Sequence, residues 1–467
     1  MKLKSIYIAF ISILVVFFVS CLGNGSDTEL SSDPHFISLT FLSNDSIPGL
    51  SGAVFTLEHD ASVEGDSIIV NLDSLPFQTR LDSVWPVFYF KSTYITRLFQ
   101  ETEEGIDTVY LAGNSSTTKN DTIDFTIPTK VQNFSADGTA ERTYPVKVNV
   151  HQVRPELYVW DRLQNQITAN SSVNQKAVFF NNQFLFYIGS ETGNSLYTAE
   201  ETNLSANWQK KATLEFPENR TSLKLRYMVK NEDVLYVTDN ESQLYKSGNG
   251  VEWEKVDYNL TDGKIHNLLF SMNDALWAIT QSNDGNEYRM AHSADGVNWA
   301  DWGVLPEKND SRKFPVSNYS ALVFRSAVGR PKAIVVGGYS ESGTLIPVNW
   351  IGQVDVNNKM IWEPLRQNTL PAIQDAAVIQ YDNKLLLFGG LQSNGNIIAL
   401  QESRNEGLTW HTPDSTSNVL PENFPMRSSQ SVDVNEASKR IYIVGGKDNT
   451  KTYSDVWTGK LNRLGFQ

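Results

Sequence analysis

Residues 382–390 read DNKLLLFGG, which is a polar turn followed by a short apolar run and two glycines. The residues directly before the turn, 376–381, read AAVIQY, so two β-type runs flank it. This pattern predicts a β-hairpin. It returns around five further polar turns, at residues 181–183, 231–233, 273–274, 329–331 and 435–438. Six hairpins at a spacing of roughly 40 to 60 residues indicate a repeat architecture.

Glycine follows the later run in four of these units, at residues 188–189, 336–338, 388–390 and 444–446. An apolar strand that ends in Gly-Gly resembles the kelch repeat, in which glycine lets the chain turn in left-handed conformations. A Trp stands near the end of five units, at Trp208, Trp253, Trp299, Trp362 and Trp410. The resemblance implies an all-β fold for this region, a propeller made of a ring of small sheets.

Three of these Trp residues close a turn of special form. Residues 403–410 read SRNEGLTW and resemble the Asp-box of bacterial neuraminidase-type propellers, with Asn in place of Asp. Residues 247–253 and 293–299 look like versions shorter by one residue. In such a turn Ser, Asn or Asp side chains bond backbone amides, and the Trp packs between neighbouring sheets. We interpret the turn as structural, because in propellers it lies opposite the usual ligand site.

Five Trp residues serve six hairpins, and the missing one predicts how the ring closes. Residues 156–161 read ELYVWD, and the distance from Trp160 to Trp208 matches the spacing of the other Trp residues. We expect this run to pair as the outer strand of the last blade, which removes an open sheet edge. Residues 156–467 then give about 52 residues to each of six blades, near the kelch period of about 50. Seven blades would require a further repeat between Trp299 and Trp362.

A smaller β domain is predicted upstream, over residues 35–152. Its short runs of alternating polarity lie at residues 36–41, 67–72, 87–90, 123–127 and 144–150. Such runs, separated by polar turns, predict strands of a small β-sandwich. The stretch FSADG at 134–138, followed by YPVKV at 144–148, resembles the last hairpin of Ig-like modules near the N-terminus of many Bacteroidota lipoproteins. That resemblance implies a spacer role.

The first 21 residues have the form of a signal peptide. Two lysines precede an apolar run from Ile6 to Val19, and this run is shorter than the about 20 residues of a membrane-spanning helix. Residues 18–21 read FVSC and resemble the bacterial lipobox, in which the Cys is acylated, with Phe18 in place of the usual Leu. Cys21 is the single Cys of the chain, so it has no disulfide partner within it.

Residues 22–34 are rich in Gly, Ser, Asp and Glu and predict a flexible tether after the lipid anchor. We therefore expect a bacterial outer-membrane lipoprotein, bound to the membrane through its N-terminal lipid. Asp27 and Glu29 resemble the acidic export signal of Bacteroidota surface lipoproteins. The periplasmic and the surface side both stay open.

Charge excludes one class of partner. With 39 Lys and Arg against 53 Asp and Glu, the formal net charge is −14. Nucleic acid is not an expected partner, because phosphate neutralisation needs clustered Lys and Arg.

Motifs for a metal or a cofactor are not found in the sequence. The six His are scattered without zinc-ligand spacing. The Gly-Gly pairs precede no helix, as a dinucleotide site would require. We predict neither a metal nor a cofactor.

The loops that lead into the inner strands of a propeller converge on one mouth, which is the default ligand site. A mixed set of Arg, Lys, His, Tyr and amide side chains there suits a hydroxyl-rich or acidic glycan. The candidate ligand-binding residues are Lys176, Arg220, His266, Asn318, Tyr319, Gln374, Asp375 and Arg427.

The chain resembles an uncharacterised Bacteroidota lipoprotein family with an N-terminal Ig-like module and a C-terminal kelch-like or Asp-box propeller. This resemblance implies a non-catalytic envelope protein whose propeller mouth binds a glycan or a protein partner. A sialidase-type glycoside hydrolase is the first alternative, and it would need an arginine triad and a Tyr nucleophile paired with Glu. Only Arg220 and Arg427 are candidates for that triad, and no catalytic residue can be assigned. A structural scaffold of an outer-membrane complex is the second alternative.

Overall fold

The computed structural model describes residues 29–44, 47, 49–63, 65–111, 122–190, 193–205, 208–211, 214, 222–307, 313–355, 359–366, 369–417, 419–421 and 423–465. These residues form β-strands joined by turns and a few short 3₁₀ helices. The chain divides into two compact units, Met1–Pro155 and Glu156–Gln467. Cys21 and the predicted signal peptide lie outside the described residues.

The first unit is built from the strands β1 (Phe36–Phe41), β2 (Thr56–His59), β3 (Ser67–Val70), β4 (Pro86–Phe90), β5 (Ile95–Thr102), β6 (Gly105–Leu111), β7 (Thr129–Phe134) and β8 (Glu141–Lys147). One sheet pairs β1 with β4, and the other has the order β2-β3-β8-β7-β5-β6. Both sheets contribute to one buried core, in which Leu39 and Phe88 face Leu98, Val131 and Tyr144. Two sheets around one core make a sandwich.

One predicted strand of this unit does not form. Residues 123–127 make a single bridge, from Ile123 to Val84. Asp124 Oδ1 accepts the Thr126 N–H at 2.8 Å and thereby turns the chain locally. The Ig-like assignment of the sandwich stays a prediction.

The second unit contains the strands β9 (Tyr158–Gln164), β10 (Gln175–Phe180), β11 (Gln183–Ser190), β12 (Gly193–Glu200), β13 (Gln209–Lys211), β14 (Val229–Asn231), β15 (Val234–Thr238), β16 (Leu244–Ser247), β17 (Glu254–Val256), β18 (Lys264–Met272), β19 (Ala275–Gln281), β20 (Tyr288–Ser293), β21 (Ala300–Val304), β22 (Ser320–Arg325), β23 (Pro331–Val336), β24 (Trp350–Val354), β25 (Met360–Pro364), β26 (Ala377–Tyr381), β27 (Lys384–Phe388), β28 (Gln401–Ser403), β29 (Ser431–Asn435), β30 (Arg440–Lys447) and β31 (Thr452–Leu461). Among the described residues they form six sheets, with the orders β10-β11-β12-β13, β14-β15-β16-β17, β18-β19-β20-β21, β22-β23-β24-β25, β26-β27-β28 and β29-β30-β31-β9.

Each predicted hairpin joins the first two strands of one sheet, so the prediction of these hairpins is confirmed. In the turn after β18, Asn273 and Asp274 have φ of 53° and 58°. Two left-handed residues in a two-residue turn match the twist of the strands that they join. From β14 to β29 the first strands of the sheets contact one another in chain order. β10 contacts β29 on one side and the 3₁₀ turn Leu225–Tyr227, which precedes β14, on the other. The first strands therefore line a central channel.

The glycines after the second strands are required by backbone angle and by space. Gly389 has φ 65°, and a Cβ there would lie 2.0 Å from the carbonyl oxygen of Arg427 in the next sheet. Gly445 has the same φ, and a Cβ would lie 2.2 Å from Gln175 Oε1. A residue with a side chain would be strained at both positions and would push neighbouring sheets apart.

The fourth strand of the last sheet comes from the start of the unit. β9 pairs with β31, and Trp160 lies directly opposite Gly459. Trp362 of β25 lies opposite Gly352 of β24 in the same way. A Cβ on Gly459 would lie 2.5 Å from the Trp160 ring, and one on Gly352 would lie 2.9 Å from the Trp362 ring. The two Trp residues thus occupy equivalent places in two sheets.

The turns that resemble the Asp-box have the same internal hydrogen bond, from a Gly N–H to the Ser Oγ. In the turn after β20, Ser293 Oγ accepts the Gly296 N–H at 2.9 Å, and Asp295 Oδ1 accepts the Val297 N–H at 2.8 Å. Trp299 closes this turn by donating from Nε1 to the carbonyl oxygen of Gly296 at 2.9 Å. Trp299 is buried. These contacts lie within the turn and the adjoining core, which supports a structural role.

Short 3₁₀ helices occur at Leu50–Gly52, Glu201–Asn203, Leu225–Tyr227, Ser415–Ser417 and Asn462–Gly465. Within the described part of the chain, no helix has the length and apolar character needed to cross a membrane.

Candidate functional site

A cavity of about 250 Å³ lies in the central channel of the second unit. Its walls come from β10, β18, β22, β26 and β29 and from the 3₁₀ turn Leu225–Tyr227. Pockets for small ligands usually measure about 300 to 1,000 Å³. The cavity is therefore slightly smaller than a usual small-molecule pocket.

An ion pair crosses one end of this cavity, which we call the mouth. Arg226 belongs to the short turn before β14, and Asp375 lies just before β26, three sheets further along the chain. Arg226 Nη1 lies 2.7 Å from Asp375 Oδ1, and the two side chains are 26% and 7% exposed. Arg226 Nε has no hydrogen-bond partner among the described residues. The guanidinium thus keeps donor capacity beyond its ion pair.

Amide side chains extend this cluster. Asn318 Nδ2 donates to Asp375 Oδ1 and to Gln374 Oε1, each at 3.0 Å. The Asn318 N–H in turn donates to Tyr227 Oη at 2.7 Å. Guanidinium, carboxylate and two amides are consequently held together at the mouth, in fixed positions and with both donors and acceptors.

The backbone beneath these side chains is equally ordered. Asn318, Asp375 and Ser429 each stand two positions before the first strand of a sheet, and their φ angles are 54°, 59° and 58°. The Asp375 N–H donates to the Asn318 carbonyl oxygen, and the Ser429 N–H donates to the Asp375 carbonyl oxygen, at 3.0 and 2.8 Å. Left-handed residues at equivalent places in three consecutive sheets present their side chains to the same mouth.

Residues 154–467 match the family model described as the DUF6242 beta propeller domain, and residues 37–148 match the DUF6242 N-terminal domain, a domain of unknown function. The chain belongs to the DUF6242 family. One solved structure, described as "Structure of YjhT", is similar at 12% identity with a TM-score of 0.45, covering 62% of this chain and 96% of that chain. No curated protein matches the sequence.

The DUF6242 propeller places three of the predicted residues, Asn318, Gln374 and Asp375, together at the mouth. Lys176 lies further in and lines the cavity. Tyr319 also lines it, but the ring is buried and its hydroxyl donates to the carbonyl oxygen of Leu268 at 2.9 Å. Its hydroxyl hydrogen is therefore already used within the fold.

His266 contributes less to the mouth than the sequence suggested. His266 is half-buried, with its ring 5.0 Å from that of Tyr288. Burial lowers the pKa of His266 to about 4, and the nearby charges of Lys224 and Lys264 act in the same direction. The imidazole is thus neutral at pH 7. Arg220 lies outside the described residues.

Arg427 is a correction to the predicted ligand set. Its side chain is fully buried, and its guanidinium binds both carboxylate oxygens of Asp455. Nη1 also donates to the carbonyl oxygen of Gly445, and the ring of Tyr453 lies 3.9 Å from Cζ. Arg427 holds the last sheet together and does not reach a ligand at the mouth.

Arg226 was missed from the sequence, although a signal existed. The second sheet has a short first strand, β14, and the 3₁₀ turn Leu225–Tyr227 takes the place of its first residues. Arg226 lies five residues before the polar turn 231–233, as Lys176 lies five residues before the turn 181–183.

Among the described residues, no group of three His, Cys, Asp or Glu side chains could hold a metal ion.

Proposed function

We propose that this DUF6242 protein is a binding protein without catalytic activity and that the mouth of its propeller binds a glycan. The observation that carries the proposal is the cluster of Arg226, Asp375, Asn318 and Gln374 at the end of the channel. Sugar hydroxyls both donate and accept hydrogen bonds. Planar guanidinium, carboxylate and amide groups in fixed positions match such a ligand.

We further propose that the six sheets are the six blades of the propeller and that β9 closes the ring. The contact of β29 with β10 and the pairing of β9 with β31 support this. The equivalence of Trp160 and Trp362, each opposite a glycine, supports a common blade plan. A rigid closed ring would hold mouth residues from separate sheets in register.

A sialidase-type hydrolase is less well supported. That chemistry needs three arginines around a carboxylate and a free Tyr nucleophile. Arg427 is committed to Asp455, and the hydroxyl of Tyr319 is committed to Leu268. No observation favours the scaffold of an outer-membrane complex.

The cellular location is also part of this proposal. We infer acylation of Cys21 and a lipid-anchored protein at the bacterial outer membrane, from the lipobox-like residues 18–21. A tether over residues 22–34 would let the folded units stand away from the membrane.

A glycan array probed with the mature protein and two mouth variants tests the ligand assignment. Arg226→Lys keeps the charge but removes the planar fork, and Gln374→Ala removes an amide. Arg289→Lys is the matched control, because Arg289 on β20 pairs with Asp301 on β21 and neither residue lines the cavity. We expect about 10-fold to 150-fold weaker binding for Arg226→Lys, corresponding to about 1.5 to 3 kcal/mol for a hydrogen bond to a charged group, and no change for the control.

Other outcomes of the array experiment discriminate between the hypotheses. Undiminished binding in both mouth variants would contradict the mouth assignment. Turnover of an array sugar would favour the hydrolase. A mature protein that binds no glycan would overturn the glycan proposal and leave a protein partner as the occupant to seek.

A further inference from the structure

The inner part of the cavity contains a cation that the mouth cluster does not use. Lys176, on β10, lines the cavity and is half-buried. Among the described residues its ammonium group has neither a hydrogen bond nor an ion pair. Burial lowers its pKa, the charge of Arg226 lowers it further, and the carboxylate of Asp433 acts in the opposite direction. A buried ammonium group requires hydrogen-bond acceptors. No described residue supplies one to Lys176, so a ligand can do so.

The nearest acidic group in the cavity is already occupied. Asp433, on the neighbouring strand β29, accepts the Phe179 N–H at Oδ2 and the Val434 N–H at Oδ1, at 3.0 and 2.9 Å. It makes no ion pair with Lys176 within 4 Å. Burial raises the pKa of Asp433, and these two N–H donors and the charge of Lys176 act in the opposite direction. The carboxylate therefore lies on one wall without making an ion pair with the lysine.

Two hydroxyl groups add further donors to the same walls. Ser320 Oγ accepts the Val378 N–H at 3.1 Å, and Ser431 Oγ accepts the Ala177 N–H at 2.8 Å. Neither hydroxyl donates to another described residue, so each O–H hydrogen is available to a ligand. Both residues line the cavity together with Lys176. The two hydroxyls and the Lys176 ammonium are thus three side-chain donors to a ligand, in a lining that also contains two acceptors without a partner among the described residues, Gln175 Oε1 and Gln430 Oε1.

We propose that this interior is a subsite for a small monocarboxylate, whose oxygens accept hydrogen bonds from Lys176 Nζ and from the hydroxyls of Ser320 and Ser431. Three features select this class. An ammonium group without a partner, with two hydroxyl donors on the same walls, calls for an anion, the volume of about 250 Å³ admits one small group, and the carboxylate of Asp433 disfavours a doubly charged phosphate. The subsite deepens the proposed function, since an acidic sugar could place its carboxylate here and its hydroxyls at the mouth.

Calorimetry with D-glucuronate and D-glucose on the full chain tests this inference, because the two sugars differ in the carboxylate. We expect glucuronate to bind and glucose to bind at least tenfold more weakly. Lys176→Met should lower the affinity for glucuronate at least tenfold, whereas Asp433→Asn should raise it. Lys230→Met is the control, because Lys230 is exposed and its ammonium group lies over the Phe180 ring, outside the cavity lining.

A second readout is independent of the variant's stability. A bound carboxylate raises the pKa of Lys176 again, so binding at alkaline pH should take up protons in the wild type and not in Lys176→Met. Proton uptake is measured by repeating the titration in buffers with different ionisation enthalpies.

Three results would overturn the subsite: equal affinity for glucose and glucuronate, unchanged glucuronate affinity in a folded Lys176→Met protein, or no glucuronate binding at all. Array binding that depends on Arg226 without any glucuronate binding would retain the mouth proposal and remove the subsite. Glucuronate binding through Lys176 without any array ligand would do the opposite.

Discussion

Arg427 and Asp455 form an ion pair inside the last sheet of the propeller. Nη1 lies 2.5 Å from Oδ1, Nη2 lies 3.1 Å from Oδ2, and the side chains are 0% and 1% exposed. Asp455 also accepts hydrogen bonds from Arg162 of β9 and from Trp457. One carboxylate on β31 therefore binds both β9 and the loop before β29.

Arg427→Ala should destabilise the protein and leave ligand binding by folded molecules unchanged. Without Arg427, the buried carboxylate of Asp455 keeps only the partly exposed Arg162 as a counter-charge. Breaking a buried ion pair by removing one partner costs about 3 to 5 kcal/mol, and Arg162 should offset part of that cost. Adding Asp455→Asn to Arg427→Ala should recover part of that loss, because the buried carboxylate charge is then absent. Chemical unfolding followed by Trp fluorescence measures the effect. A variant with wild-type unfolding and weakened glycan binding would restore Arg427 to the ligand set.

The pairing of β9 with β31 can be tested by adding one methyl group at Gly459. Gly459→Ala would place a Cβ about 2.5 Å from the ring of Trp160, and we expect a cost of about 1 to 3 kcal/mol for this overpacking. Trp160→Leu in the same chain should relieve the clash, so the double variant should be more stable than the sum of the two single changes predicts. Additive effects would contradict the contact. Gly352→Ala, opposite Trp362, is the matched change in another sheet.

Trp410→Ala should lower stability without changing the mouth. Trp410 is 4% exposed, packs in one core with Ile334 and Val336 of the neighbouring sheet, and donates from Nε1 to the Gly407 carbonyl oxygen at 3.0 Å. Loss of such an aromatic costs about 3 to 5 kcal/mol. Trp410→Phe keeps most of the packing and should lose only about 1 kcal/mol with the indole hydrogen bond. Thermal melting and the glycan array together check that only stability changes.

The sequence predicted most of what depends on neighbouring residues. Turns such as Asn273-Asp274 were found because Asn and Asp between two apolar runs indicate a turn. Both residues have left-handed φ angles in the structure. Residues 123–127 were misread, since the local hydrogen bond from Thr126 to Asp124 competes with strand pairing.

The site itself was only half predictable. Asn318 and Asp375 could be placed at the mouth because they stand just before β22 and β26. That Asp375 would pair with Arg226, while Arg427 would turn inward to Asp455, depends on contacts between sheets that are distant in the chain. No local pattern encodes which of two arginines finds a carboxylate inside the fold.

Cys21 should carry the lipid anchor. Labelling cells with a fatty-acid analogue is expected to mark the wild-type protein and to leave Cys21→Ala unlabelled, because the thiol is the acylation site of a lipobox. Cys21→Ala should also leave the membrane fraction. Equal labelling of both proteins would contradict lipidation at this residue.

Stability should fall with pH through the titration of His266. Its folded pKa of about 4 lies below the unfolded value of about 6.5, so above pH 6.5 both states are neutral and the protein keeps its full stability. Between pH 6.5 and 4, His266 binds a proton in the unfolded chain but stays neutral in the folded protein. Folding stability is therefore lost as the pH falls through this range. Below pH 4 both states are protonated and His266 causes no further loss.

We expect His266 to lower the free energy of unfolding by about 2 kcal/mol over this pH range, less than the full pKa shift implies because the ring is partly solvated. His266→Gln should therefore lose less stability than the wild type between pH 7 and 4.5, whereas His59→Gln, at an exposed position in the first unit, should behave as the wild type does. Identical pH dependence in all three proteins would show that His266 is protonated as readily in the folded state as in the unfolded one.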